Sequence, residues 1–275
     1  MKIVFLSENK TDRPPYMGEH GLSIYIETGE NKLLFDGGPS PLFLDHAKEK
    51  GIDLSRVDNC IVSHGHYDHT GGFPEFIEIN KTAPIHLHPA SFNEVYGEEK
   101  GIMDEEPCSI LWTQDQRKLL EARLSLSKEP VFISEDIVIS GEIPEEFGNQ
   151  SVEDFHIKNK DGSYILDPMD HEQFLMVREN RKLYLFFGCS HKGVFPALRY
   201  ARTFFPYEEI ELLVAGMHLY NADLEQVDSI MGELQTFNIQ KLMPVHCTGI
   251  HAITRMKEMD HERVIIATVG DEYDL

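Results

Sequence analysis

Basic residues are scarce beside acidic ones: 25 Lys and Arg face 47 Asp and Glu, a formal charge of −22. So acidic a surface repels phosphate backbones and anionic lipid. No run of Lys and Arg supplies a local exception, so nucleic acid and membranes are poor partners. Cysteine is also sparse. Cys60, Cys108, Cys189 and Cys247 lie far apart and form no C-x-x-C pair. That argues against a zinc ribbon and a disulfide scaffold and fits a reducing compartment. Long apolar runs are missing. The opening MKIVFLSENK holds a run of four, too short for a signal peptide, and no window approaches the ~20 apolar residues of a membrane span. The expectation is a soluble cytoplasmic protein. Short-period repeats, low-complexity tracts and Gly/Ser linkers are absent too, so nothing divides the chain into pieces.

What is present is an ordinary globular balance, 41% hydrophobic and 26% charged over 275 residues, enough to bury a substantial core. IVFLS at Ile3, the pair LSIYIET and NKLLF around the turn at Gly29 and Glu30, NCIVS, PIHLH, VFIS, IVIS and the pair QFLMVRE and KLYLFFGCS read as strands. PLFLDHAKEKG reads as a helix stopped at Gly51. From Val194 onwards helix and strand alternate: helices over 194–203, 224–237 and 250–259, strands at ELLVAG, KLMPV and VIIATVG. Helices are expected near 90–99 and 115–126, and an irregular stretch over 141–170. The simplest architecture is one α/β domain over 1–275, with residues 89–129 the best candidate for an inserted lid.

The most specific stretch is SHGHYDHTGG, Ser63 to Gly72. His64, His66, Asp68 and His69 are all metal-ligand types and fall within six residues. Imidazole and carboxylate together suit Zn²⁺ and related divalent ions. His64 and His66, two apart, share one side of an extended backbone. The neighbours Asp68 and His69 do not readily join that pair, so two adjacent metals, each taking two groups, is the natural arrangement. Gly65, Gly71 and Gly72 permit a tight loop at a strand end, where open α/β sheets place their ligands. The bland alternative is a polar surface loop; the density of ligand types directly after an apolar strand argues against it.

H-x-H-x-D-H after a short apolar strand resembles the metallo-β-lactamase fold hydrolases. LLFDGG, GIDLSRVDNCIVSHGHYDHTGGF, GCSHKG, AGMHL and PVHCTG are similar to the subgroup of metal-dependent hydrolases called β-lactamase superfamily II. Some of its members are named dihydropterin–ribofuranosylaminobenzene phosphate synthases. The resemblance covers 89–129 and 141–167 poorly. It implies a four-layer αβ/βα sandwich with a dinuclear site at the sheet edges. One metal would be held by His64 and His66, the other by Asp68, His69 and His246, with Asp36 behind them. The family usually carries a bridging Asp directly after a strand-end Gly and a third histidine before a strand pair. Here Gly188 is followed by Cys189, Ser190 and His191, with no Asp. His191 is the candidate ligand there, Cys189 the weaker one, and His171 stands where the third histidine is expected. A neutral His in place of the Asp would raise the positive charge of the site or weaken one metal, leaving the count at one or two. His88 and His218 end apolar strands and read first as pocket groups.

The expected function is hydrolysis of an anionic ester, most simply a phosphoester of a small molecule. A metal-activated water would attack, Asp68 would orient it, and His218 or His191 would protonate the leaving oxygen. Zn is the first choice of metal, with Mn or Fe as alternatives. Three rivals stand beside this reading: a synthase joining a pterin to an aromatic amine, a redox di-iron protein, and a binding protein with a degenerate site. His66 weighs against the redox reading, because di-iron relatives carry an acid there, and no flavin domain follows. The complete H-x-H-x-D-H weighs against the degenerate site. A homo-oligomer is compatible with the sequence, which does not set the oligomeric state.

Overall fold

The computed structural model describes residues 1–99, 101–149 and 155–275. In chain order its first half comprises β1 (Lys2–Ser7), β2 (Ser23–Glu27), β3 (Lys32–Phe35), α1 (Leu42–Glu49), β4 (Asn59–Ile61), α2 (Tyr67–Thr70), α3 (Phe73–Ile79), β5 (Ile85–Leu87), β6 (Val95–Glu99), β7 (Ile102–Met103), α4 (Gln114–Glu121) and β8 (Leu124–Leu126). The second half comprises β9 (Val131–Phe132), β10 (Ile137–Ile139), β11 (Phe155–Lys158), β12 (Tyr164–Leu166), β13 (Leu175–Glu179), β14 (Lys182–Phe186), α5 (Val194–Phe204), β15 (Glu209–Ala215), α6 (Leu224–Leu234), β16 (Ile239–Pro244), α7 (Ile250–Met259) and β17 (Glu272–Asp274).

Two large sheets result. One has seven strands in the order β17-β1-β2-β3-β4-β5-β8, the other six in the order β16-β15-β14-β13-β10-β9. Their strands are apolar on both faces, the pattern of sheets covered on both sides. One face of each turns inward. Ile3, Phe5, Ile24, Phe35 and Ile61 pack there against Ile139, Leu175, Phe186, Val214 and Met243. On the outer face of the first sheet, Val4, Leu34, Cys60 and Val62 meet Phe43 of α1, Phe73 and Phe76 of α3 and Leu120 of α4. On the outer face of the second, Met176, Leu185 and Leu213 meet Leu198 of α5, Met231 of α6 and Met256 of α7. The order of layers is helices, sheet, sheet, helices: the expected α/β sandwich.

The middle of the chain departs from expectation. Residues 90–99 form a short 3-10 turn (Pro89–Phe92) and then β6, not a helix. Val95, Tyr96 and Gly97 register with Ile157, His156 and Phe155 of β11, because β-formers at Val95 and Tyr96 find a partner strand. β11 and β12 also replace part of the irregular stretch over 141–170, while 150–154 lie outside the described residues. β12, β11, β6 and β7 make a third, four-stranded sheet. The helix expected over 115–126 ends at Glu121, and Leu124–Leu126 extends the first sheet alongside β5. VIIATVG is not a strand. Val264 makes a single bridge to Leu242, and the run beyond it is held by separate bonds, Val269 N–H to Lys10 O and Gly270 N–H to Phe5 O.

No helix among the described residues is long and apolar enough to cross a membrane. The feature that matters for chemistry is strand direction. β3, β4 and β5 run parallel to one another, as do β14, β15 and β16. Asp36, Ser63–His64 and His88 follow the ends of the first trio, and Cys189–His191, His218 and His246 those of the second.

Candidate metal centre

The chain leaves these strands through strained backbone. Asp36, Ser190, His218 and His246 are non-glycine residues with φ between 47° and 59°, a left-handed conformation that costs energy and clusters at functional sites. The glycines of the motif serve a different purpose from the expected tight turn. None of Gly65, Gly71 and Gly72 has positive φ. A Cβ on Gly65 would lie 2.4 Å from Ser91 O and one on Gly71 2.0 Å from Pro39 O. They let neighbouring backbone approach.

Asp36 organises the first half of the site. Its carboxylate is fully buried. Oδ1 accepts the Ser63 N–H at 2.7 Å, and Oδ2 accepts the Ser63 hydroxyl at 2.8 Å and His69 Nδ1 at 2.6 Å. Ser63 Oγ in turn meets His64 Nδ1 at 2.9 Å. This network assigns the Nδ1 proton to both imidazoles, so each would meet a metal through Nε2. His246 follows the same logic, with Nδ1 2.7 Å from Asn9 Oδ1 and its backbone N–H donated to Glu8 Oε1 at 2.6 Å. On the far side, Glu172 holds the Cys189–Lys192 loop by accepting the His191 and Lys192 amides at 2.5 and 2.8 Å.

The free nitrogens converge. His64 Nε2 lies 3.2 Å from His191 Nε2, and the rings of His64 and His66 are 4.5 Å apart. His69 Nε2 lies 3.2 Å from Cys189 Sγ, and Asp68 Oδ2 is 3.0 Å from His246 Nε2 and 3.7 Å from His69 Nε2. Asp68 and His69 reach one point because α2 begins directly after His66. Among the described residues four groups of three donors form; two of them, His64–Cys189–His191 and His69–Cys189–His246, join histidine pairs through Cys189, with the ligand atoms of each trio within 4.8 Å of one another. Tetrahedral Zn–N bonds of ~2.0–2.1 Å place two nitrogens about 3.3 Å apart, the spacing seen for His64 and His191. His66 Nε2 is buried without a hydrogen-bond partner, an expensive arrangement unless a cation takes the lone pair. These residues therefore fit a divalent metal.

The electrostatics agree. Burial, reinforced by His69, holds the pKa of His64 well below the ordinary histidine range. Burial with His171 brings His66 to about 3, and burial with His218 lowers His191 strongly. These imidazoles are neutral, the form that binds metal. Burial lowers His69 too, but the charges of Asp36 and Asp68 outweigh it and raise the group to about 9. Burial opposes ionisation of Asp68, yet His69 and His246 hold its pKa far below the carboxylate range. The second trio thus sits where negative charge waits for a cation.

The remaining expected residues are placed as follows. His171 stands beside His64 and His66, with ring centroids 6.2 and 5.8 Å away, but spends both nitrogens elsewhere. Nδ1 accepts the Gly65 N–H at 3.1 Å and Nε2 faces Asp167 Oδ2 at 3.3 Å. His88 caps its own turn through Ala90 N–H at 3.1 Å, with Nε2 3.5 Å from Glu142; it belongs to neither trio. The His218 ring lies 4.4 Å from that of His191, tilted by 39°, and groups with Cys189 and Cys247. Glu8, Asn9 and Glu172 were missed by sequence reasoning. Their only signals were polar residues at the end of β1 and an acid beside His171. Phe155, which opens β11, lies 4.8 Å from the His66 ring and 4.9 Å from that of His191, and no motif points to it.

Comparison with known proteins agrees with this geometry. The family model described as the metallo-beta-lactamase superfamily matches residues 17–164. The chain belongs to the metallo-β-lactamase superfamily. A relative within it, the 7,8-dihydropterin-6-methyl-4-(beta-D-ribofuranosyl)-aminobenzene-5'-phosphate synthase of Methanocaldococcus jannaschii, is 30% identical over 263 residues, covering 92% of this chain and 89% of that one. An uncharacterized protein of the same organism is 29% identical over 248 residues, 90% of each. Among solved structures of the superfamily fold, Tm1679, a metal-dependent hydrolase of the beta-lactamase superfamily, superposes with a TM-score of 0.83 at 24% identity, over 100% of this chain and 99% of that one. The Zn(2+)-bound PqqB of Methylobacterium extorquens does so with 0.62 at 12%, over 100% of each.

Proposed function

We propose that the protein is a metal-dependent hydrolase acting on an anionic ester, a phosphoester, of a small molecule. The observation that carries the reading is the convergence of buried imidazoles that follow β4, β14 and β16 on one sheet edge, with the Nε2 of His66 left without a partner. His64, His66 and His191 would hold one cation, and Asp68, His69 and His246 a second. A bound divalent ion supplies a Lewis acid and brings water within reach of deprotonation at neutral pH. Asp68, beside both His69 and His246, would accept and orient the water's proton. His218, whose ring centroid lies 4.4 Å from that of His191, would donate to the leaving oxygen. Zn is the first choice among metals, since imidazole and carboxylate both suit it. With a formal charge of −22 over the whole chain, attraction of an anionic substrate must come from the centre itself.

A second reading has its own support. The synthase of M. jannaschii is 30% identical over 92% of this chain, so the same centre could instead join a pterin to a ribofuranosylaminobenzene phosphate. Metal-loaded protein assayed side by side on a phosphodiester panel and for pterin consumption separates the two. Phosphodiester turnover without pterin consumption is expected; the reverse would replace hydrolase by synthase. Full activity in metal-free protein would overturn both.

A further inference from the structure

Cys189 Sγ is the one donor atom shared by both trios: it lies within 4.8 Å of the ligand atoms of His64 and His191 and, equally, of those of His69 and His246. It stands directly after Gly188, where the family pattern places a bridging carboxylate. The thiol is 2% exposed and 3.2 Å from His69 Nε2. Its approach is built into the backbone. A Cβ on Gly188 would lie 2.2 Å from Ser63 Oγ, so only glycine lets β14 come close enough to β4 for the next residue to reach between the two sets. We propose that the Cys189 thiolate bridges two metal ions here, in place of the usual carboxylate. The inference rests on the metal-centre reading above.

The chemistry follows from the donor. On loading, the S–H bond breaks, the proton leaves to solvent, and the sulfur lone pairs go to the cations. One negative charge then stands between the ions, as a carboxylate's would, so the absence of Asp does not leave the centre with uncompensated charge. On this reading the bridging place falls to Cys189 and not to a neutral histidine, since His191 groups only with His64 and Cys189 among the described residues. A sulfur bridge also biases the metal. Thiolate favours Zn, Fe and Co over the oxygen-seeking Mn and Mg. Cys247 shares a third group with Cys189 and His218, but joins neither histidine trio, so its own thiol is not the bridge.

The test is cobalt loading of the reduced full-length protein, read by metal content and by the near-ultraviolet thiolate-to-cobalt charge-transfer band. Wild type and Cys247→Ser should both bind two cobalt ions per chain and show the band. Cys189→Asp should keep two ions and lose the band, and Cys189→Ser should lose the band along with much of the second ion. Two bound ions with no band in wild type would overturn the bridge while leaving the metal centre intact. So would a band that survives in Cys189→Asp or vanishes only in Cys247→Ser. No cobalt binding to wild type would overturn the metal centre and the bridge together.

Discussion

Asp36 belongs to neither donor trio, yet its two oxygens fix Ser63, His64 through Ser63, and His69. Asp36→Asn keeps the shape and removes the charge that holds the His69 Nδ1 proton. The expected outcome is a ~10–100-fold loss of metal affinity with the fold unchanged, because partners behind ligating histidines commonly contribute that much; competition with a coloured chelator measures it. Unchanged affinity would mean that His69 orients itself. At this scale the sequence was readable only where residues lie close together. H-x-H-x-D-H announces itself by density. Glu172 and Asn9 are single polar residues carried to the site by folding, one accepting two amides of the Cys189–Lys192 loop and the other facing His246 from the end of β1, and spacing gives no sign of either.

Elements are positioned by a few buried polar side chains as well as by apolar faces. Asn80 closes α3 with no exposed surface. Its Nδ2 donates to Leu54 O at 3.0 Å and Val57 O at 2.9 Å, and its Oδ1 accepts the Ala83 N–H at 2.8 Å. Asn80→Ala would strand these groups at about 1–3 kcal/mol for each that stays unsatisfied, so a loss of about 3 kcal/mol is expected in urea titration. A loss below ~0.5 kcal/mol would show that water replaces the amide. The strands that carry site residues were legible because each is a short apolar run ending in polar ligands. β6 and β11 were not, since VYGEE and FHIK pair with each other across some 60 residues of sequence, and neither carries an apolar alternation long enough to stand alone. VIIATVG failed in the opposite sense. Ile265 and Ala267 pack into the core between the sheets, so the run is apolar for burial and not for pairing.

Across the whole molecule the centre depends on two sheets holding their parallel strand ends in register. Phe186, the last residue of β14, is fully buried and faces Phe35 at 6.2 Å between ring centroids. Phe186→Ala should cost about 3–5 kcal/mol by leaving a cavity between the sheets, seen as a lowered denaturation midpoint. Bound metal should restore part of that stability, because it binds only the folded chain. Equal midpoints with and without metal would separate the centre from the fold. The α/β sandwich was legible from strand and helix patterning together with the resemblance carried by the motifs. The pairing of distant strand ends was not, because no local pattern records which ends meet.

Everything proposed for this protein rests on a divalent metal bound by the buried histidines at this edge. Calorimetric titration of chelator-treated protein with Zn²⁺ tests it most directly, with His66→Ala titrated alongside. Tight, saturable uptake of one or two ions per chain is expected in wild type, with loss of at least one ion in the variant. Absent saturable uptake, or an identical isotherm for His66→Ala, would contradict it.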